Sequence, residues 1–204
     1  MADYLVFHLY GPMAAWGDIA VGEYRPSFAH PSKSAIIGLL AAALGIRRDE
    51  EGRQNALAAA CSFSVRVDSM GALLRDYHTI QVPSSGTARN PKVFHTRRSE
   101  LTGTDLNTIL SSRDYRCDAL YTVAVTLNDN SAFSVKELAD ALRKPVFTLY
   151  LGRKSCPLAF PLSPQIVSVA SVKEAFHKAP VSDELKSLIQ EKASLVYWEG
   201  EQGG

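Results

Sequence analysis

Residues 31–46, PSKSAIIGLLAAALGI, decide how the rest of this chain is read. A proline and two serines open the stretch, and a glycine closes it at residue 45, which are the start and stop signals of a helix. The body between them is apolar almost all the way round, so the helix is expected to be buried. Gly38 then allows close packing against a sheet. A buried helix needs strands on either side of it in the chain, and the flanking sequence supplies them.

Upstream, YLVFHLY (residues 4–10) is rich in β-formers and ends at Gly11-Pro12, which predicts the first strand. Downstream, SFSVRV (62–67) alternates in polarity and predicts a second strand, and ALYTVAVTL (119–127) a third. Ser134 and Glu137 have the spacing of a capping box at the head of a second helix over residues 134–143. VFTLYL (146–151) is expected to close the sheet as a fourth core strand. The order strand, helix, strand, strand, helix, strand is the split βαβ pattern of ferredoxin-like and RNA-recognition domains. The predicted class is α+β, with a core domain over residues 1–160. A small extension over 161–204 packs on it, through a helix at 182–192 and a short strand at 195–198.

Between the second and third strands lies an insertion over about residues 75–116. It contains RDYHT, the polar tip PSSGTARNP and then KVFHTRR. Strand-like pieces around a Gly/Pro/Ser/Asn tip predict a long projecting hairpin. It carries seven Lys/Arg against four Asp/Glu. Aromatic and basic side chains interleave along it: Tyr77, His78, Lys92, Phe94, His95, Arg97 and Arg98. Rings stack on bases and cations pair with phosphates, so such a finger suits single-stranded RNA.

The net charge is only +1, but its sign is sorted along the chain. Residues 24–48 contain no acid and hold Arg25, Lys33, Arg47 and Arg48, while residues 141–172 contain no acid and hold Arg143, Lys144, Arg153 and Lys154. After residue 171 the balance reverses, with six acids against four bases. Taken singly, each cluster reads as solvated surface. Convergence on one face would make them an anion site. At the head of the first helix, Ser32, Lys33 and Ser34 sit where free backbone N–H groups and the positive dipole end favour phosphate; a capped helix with Lys33 in water is the alternative. Arg25, before Pro26, lies in an extended stretch able to run beside a nucleic acid. Trp16 fits either an aromatic platform or an apolar plug. In YLGRKSCPL (150–158), Gly152 permits a tight turn that presents Arg153 and Lys154.

Several function classes lack their parts. The three cysteines, Cys61, Cys117 and Cys156, are odd in number and far apart, against a disulfide framework or paired zinc ligands. No phosphate-loop, serine-hydrolase or clustered-carboxylate motif occurs, so no metal or other cofactor is expected. No apolar run reaches bilayer length and the N-terminus lacks signal-peptide features, so the chain is expected to be cytoplasmic with no membrane partner. Metal-independent RNA cleavage needs a general acid or base near a 2′-hydroxyl, for which His78 is the first candidate and His95 the second. A small-molecule enzyme using the glycine turn for a phosphate is a third reading.

Five motifs, GPMAAWGD (11–18), RP followed by HPSKSAIIGLLAAALGI (25–46), RDYHT (75–79), RCDALYTVA (116–124) and YLGRKSCPL (150–158), occur in the order of one family. Together they resemble the CasD, or "Cas five", subunits of type I-E CRISPR Cascade complexes. The resemblance covers residues 4 to about 162; the tip at 82–90 and the region beyond 164 match no pattern. It implies a RAMP fold with a thumb-like hairpin and a non-catalytic role, holding the repeat-derived 5′ handle of crRNA and capping the backbone filament. The implied partners are crRNA, the backbone subunit, the large subunit and, through the complex, target DNA. In another CRISPR subtype relatives cut precursor RNA, whereas in type I-E a separate subunit does so. The expected RNA-binding residues are Arg25, Ser32, Lys33, Ser34, Tyr77, His78, Lys92, Arg97, Arg98, Arg153 and Lys154.

Overall fold

Strand β1 (Ala2–Tyr10) is the spine of the molecule, with antiparallel neighbours on both edges. All six residues from Leu5 to Tyr10 are buried, which explains a near-continuous apolar run where a half-exposed strand would alternate. The computed structural model describes residues 1–83, 93–102, 106–188 and 195–198. The short strands β2 (Met13–Ala14) and β3 (Tyr24–Arg25) follow, then helices α1 (Lys33–Leu44) and α2 (Glu51–Ala60). Next come β4 (Cys61–Ser69), β5 (Ala72–Pro83), α3 (Arg97–Glu100), β6 (Leu106–Cys117) and β7 (Leu120–Leu127). Helix α4 (Val135–Arg143), β8 (Gln165–Val169), α5 (Val172–Lys178), α6 (Asp183–Leu188) and β9 (Leu195–Trp198) complete the chain.

The first sheet has the order β8-β1-β7-β4-β9, antiparallel throughout. Alternation along β1 sends Leu5, Phe7 and Leu9 into the core beneath α1 and α4, and Val6 into a second cluster with Ala175 and Phe176 of α5. The sheet is therefore covered on both faces, the second by the C-terminal segment. On that second face four side chains form a polar chain. Arg66 pairs with Asp68 at 2.6 Å, Asp68 accepts from the Thr122 hydroxyl at 2.5 Å, and His8 Nδ1 lies 3.0 Å from that hydroxyl. Arg66 also donates to the Phe176 carbonyl at 3.3 Å, tying α5 to the sheet. Burial holds the His8 pKa below its usual value, against the opposing pull of Asp68.

Helix α1 forms as its signals predict, except that Gly38 is exposed with open space around it and makes no close approach to a sheet. The Ser32 side chain accepts from Ala35 N, and Gly45 closes the helix in the left-handed region at φ 74°. A Cβ at Gly45 would also lie 2.9 Å from Val146 Cγ1, so the position excludes other residues twice over. This C-terminus overturns one expectation. Residues 146–151 are not a strand: Val146 N donates to Ala43 O and Phe147 N to Ala42 O, so the amides a ladder needs are spent on ending α1. The strand beside β1 is β8. The capping box of α4 is present, with Glu137 N donating to the Ser134 hydroxyl at 3.1 Å. Helix α2 was not anticipated, because its sequence EGRQNALAAA has a glycine and no clean apolar stripe. It is entered through Glu50, which accepts from Arg47 N at 2.7 Å.

The second sheet is built on β6. Along its length it pairs with β5, from Ala72 opposite Cys117 to Pro83 opposite Leu106, which makes the long hairpin. Its other edge takes β2 antiparallel and β3 parallel. Most of the expected tip at 83–91 lies outside the described residues, as does Lys92.

Candidate nucleic-acid interface

The turn at 150–158 and the turn at 11–18 are one interlocked unit. Gly152 sits at φ 84°, and a Cβ there would fall 1.9 Å from the Ala15 carbonyl oxygen, so only glycine fits. Ala15 N donates to Leu151 O at 3.0 Å, and Cys156 N to Arg153 O at 2.9 Å, closing the turn. Cys156 is fully buried beneath it, and burial raises its thiol pKa. Trp16 resolves as a plug: it is 1% exposed and meets Tyr121 edge-on at 5.6 Å. The Tyr121 hydroxyl is pushed up to about 12 by the same burial.

Beside this unit the head of α1 opens a groove of about 400 Å³, lined by Ser32, Ser34, Gly38, Arg48, Tyr150 and Gly152 among others. Its lining mixes polar side chains with small and larger apolar ones, Leu39, Ile46 and Leu149 among them. Ser32 and Ser34 are linked hydroxyl to hydroxyl at 3.0 Å, while Lys33 between them is half-buried on the first turn and does not line the groove. A helix N-terminus of this kind presents free backbone N–H groups and the positive end of the dipole, the elements of an anion seat. Two residues distant in sequence thus meet, the helix head and the glycine turn. Sequence reasoning named Arg48 only as part of an acid-free run; no local signal pointed it at the groove.

The cations of the turn behave differently from expectation. Neither Arg153 nor Lys154 lines the groove. The Arg153 guanidinium lies over the Tyr115 ring at 4.8 Å and donates to the Arg25 carbonyl at 3.4 Å, so it bolts the turn to the base of the hairpin. Lys154 is exposed. Arg25 is exposed on β3, and its guanidinium folds back to the carbonyls of Gly22 at 2.5 Å and Tyr24 at 3.2 Å.

The remaining candidates belong to the hairpin. Tyr77 is 64% exposed, on the face of β5 that also carries Arg75. His78 points to the opposite face and lies 3.2 Å from Asp76. Arg97 pairs with Glu100 at 2.7 Å and donates to the Gln81 carbonyl, pinning α3 to β5, while Arg98 is exposed. Tyr77 and His78 lie on β5 and Arg97 and Arg98 on α3, and none of them lines the α1 groove.

At the base of the hairpin a cluster escaped the sequence reading. Asp114, 3% exposed, takes both Arg75 nitrogens at 2.8 and 3.1 Å and the Tyr24 hydroxyl at 2.5 Å. The Arg75 hydrogen bonds hold the Asp114 carboxyl below its usual pKa despite burial, and Asp114 in turn raises that of Tyr24. The effect is to fasten β3, and with it Arg25, to the hairpin. Among the described residues no three His, Cys, Asp or Glu side chains are grouped to hold a metal, and no helix is long and apolar enough to cross a membrane.

The family model described as CRISPR-associated protein (Cas_Cas5) matches residues 4–202. The chain belongs to this Cas5 family. It is 37% identical to the CRISPR system Cascade subunit CasD of Escherichia coli (strain K12) over 170 residues, 79% of this chain and 70% of that protein. Among solved structures this Cas5 chain is similar to a chain of a CRISPR RNA-guided surveillance complex, with a TM-score of 0.58 and 32% identity. That match covers 84% of this chain and 66% of the other, just under two thirds. A second, titled crystal structure of Cas protein, gives 0.53 and 30% identity, covering 84% and 68%.

Proposed function

We propose that the chain is a non-catalytic subunit of a type I-E CRISPR Cascade surveillance complex. On this reading it binds the repeat-derived 5′ handle of crRNA, caps the backbone filament and aids assembly for target-DNA recognition in the cytoplasm. Its partners are crRNA, the backbone subunit and the large subunit, with target DNA reached through the complex. The observation that carries the reading is the groove where the head of α1 meets the glycine turn, because a helix N-terminus that lines it with two serines, with Lys33 on the same turn beside it, suits phosphate without reading sequence. Arg48 and Tyr150 extend that seat along the helix. We read the strand order β8-β1-β7-β4, with α1 and α4 on one face, as the ferredoxin-like RAMP core, and the β5–β6 hairpin as its thumb; the fourth core strand, β8, comes from beyond residue 160, the boundary expected from the sequence. Residues 161–204 are the extension that adds β8, β9 and the covering helices.

No residue is assigned a catalytic role. Incubating the purified chain with labelled repeat-derived RNA, without divalent metal, is expected to retain intact RNA. A discrete cleavage product that disappears in His78→Ala would replace this reading with a metal-independent endoribonuclease. Failure to bind that RNA, alone or with the companion Cascade subunits, would remove it altogether.

A further inference from the structure

Three aromatic rings, two from the segment before α1 and one from the far end of the chain, form a ladder at the entrance to α1. Tyr197, on the edge strand β9, stacks on His30 with centroids 3.8 Å apart and planes at 24°. His30 stacks in turn on Phe28, at 6.3 Å and 23°. Phe28 is the outer ring and is 39% exposed. Partly open to solvent at the end of the stack, Phe28 offers ring area on which a further ring can stack.

Each rung is held in place. Phe28 N donates to the Trp16 carbonyl at 2.7 Å, and the Ser27 hydroxyl accepts from Trp16 N at 2.9 Å, so this segment is fixed to the 11–18 turn. His30 Nδ1 lies 3.0 Å from the Pro31 carbonyl; a carbonyl only accepts, so Nδ1 carries the proton and the ring orientation is set. Tyr197 is fixed by the pairing of β9 with β4, opposite Val65. The ladder is thus ordered before any ligand arrives, which lowers the entropy cost of stacking another ring on it. It also lies between charged groups along the chain: Arg25 comes three residues before Phe28, and the Ser32-Lys33-Ser34 head of α1 begins four residues after it.

We infer that Phe28 is a base-stacking site: an unpaired nucleobase of the bound single-stranded RNA continues the Tyr197–His30–Phe28 ladder while its flanking phosphates run toward Arg25 and the head of α1. The inference rests on the RNA-binding reading above and adds a residue that sequence reasoning did not name. Stacking is tolerant of base identity, so the site selects for an unstacked, single-stranded nucleotide rather than for one base.

The test is a cycle between protein and RNA, using the full chain and repeat-derived single-stranded RNAs that each carry one abasic position. With the unaltered chain, one abasic position is expected to weaken binding by about 5- to 100-fold, the range for loss of one base–aromatic stack. Phe28→Leu, which keeps apolar bulk but removes the ring, is expected to cause a loss of the same size, and to cause no further loss with that abasic RNA. Phe28→Trp is expected to bind as well as the unaltered chain. The salt dependence should be unchanged in Phe28→Leu, because stacking releases no counterions. Abasic positions that are all silent, or a Phe28→Leu loss that simply adds to every abasic loss, would overturn the inference. If Phe28→Leu binds normally while Lys33→Ala and Arg25→Ala weaken binding, the stacking site falls and the RNA-binding reading stands. If the unaltered chain fails to bind even in company with the other subunits, both fall. The abasic arm uses unaltered protein, so a Phe28 variant that fails to fold leaves the test intact.

Discussion

The two sheets of this molecule are stabilised by different means. In the five-stranded sheet, β1 and β7 are buried on both faces and order comes from apolar packing. In the β5–β6 hairpin, Leu73, Leu74, Tyr77, Ile109 and Leu110 are exposed, and the described anchors are polar: Asp114 with Arg75 and Tyr24, and Arg153 over Tyr115. Packing surrounds the α1 groove, whereas the described polar anchors of the hairpin lie at its base. A binding surface that spans both has one preformed half and one adjustable half.

The joint between the halves is the turn at Gly152, and breaking it is expected to have the largest effect. Gly152→Ala places a Cβ against the Ala15 carbonyl at a positive φ, and is expected to cost about 4 kcal/mol, read as a fall of roughly 10 °C in the thermal midpoint. Next comes a matched pair. Leu40→Ala, on α1 and fully buried, should destabilise by about 3 kcal/mol, and Leu110→Ala on the hairpin by under about 0.5 kcal/mol, in denaturant melts. Equal effects would dissolve the contrast drawn here. A subtler change is Asp114→Asn, which is expected to speed amide exchange roughly tenfold in β3 and the base of the hairpin while leaving β1 and β7 protected.

The smallest effect concerns pH and the far face of the core. His8 is neutral in the fold because burial lowers its pKa, whereas in the unfolded chain it titrates near 6.5. Its contribution to stability is therefore complete above that value and lost as pH falls from 6.5 toward the lowered folded value. Thermal midpoints measured across that window should fall more steeply for the unaltered chain than for His8→Asn; parallel slopes would mean that His8 is not linked to folding.

The same contrast governs what the sequence could convey. Helix α1, β1 and β7 were legible because burial on all sides demands apolar residues at nearly every position. Capping of α1 and α4 was legible from single serines. The fourth strand was misplaced because VFTLYL has strand composition, while its amides were claimed by the C-terminus of α1, a tertiary fact with no local signature. In the candidate site, Ser32 and Ser34 were expected to seat a phosphate from their place at a helix head, and the structure puts both on the lining of a groove, while Tyr77 is exposed on the hairpin. The pairing of Asp114 with residues 75 and 24, and the stacking of Tyr197 on His30, join positions far apart in the chain. Such contacts obey no period, so spacing carried no trace of them. Arg153 was identified as important for its charge, and in the structure it serves first as a bolt.

The most direct test of the account is the salt dependence of repeat-RNA binding by the chain and its Lys33→Ala variant, measured in parallel. If the head of α1 seats a phosphate, the variant binds more weakly and the slope of log K against log salt shrinks by about 0.7, the value for one lost contact to a single strand. Unchanged affinity with an unchanged slope would contradict it.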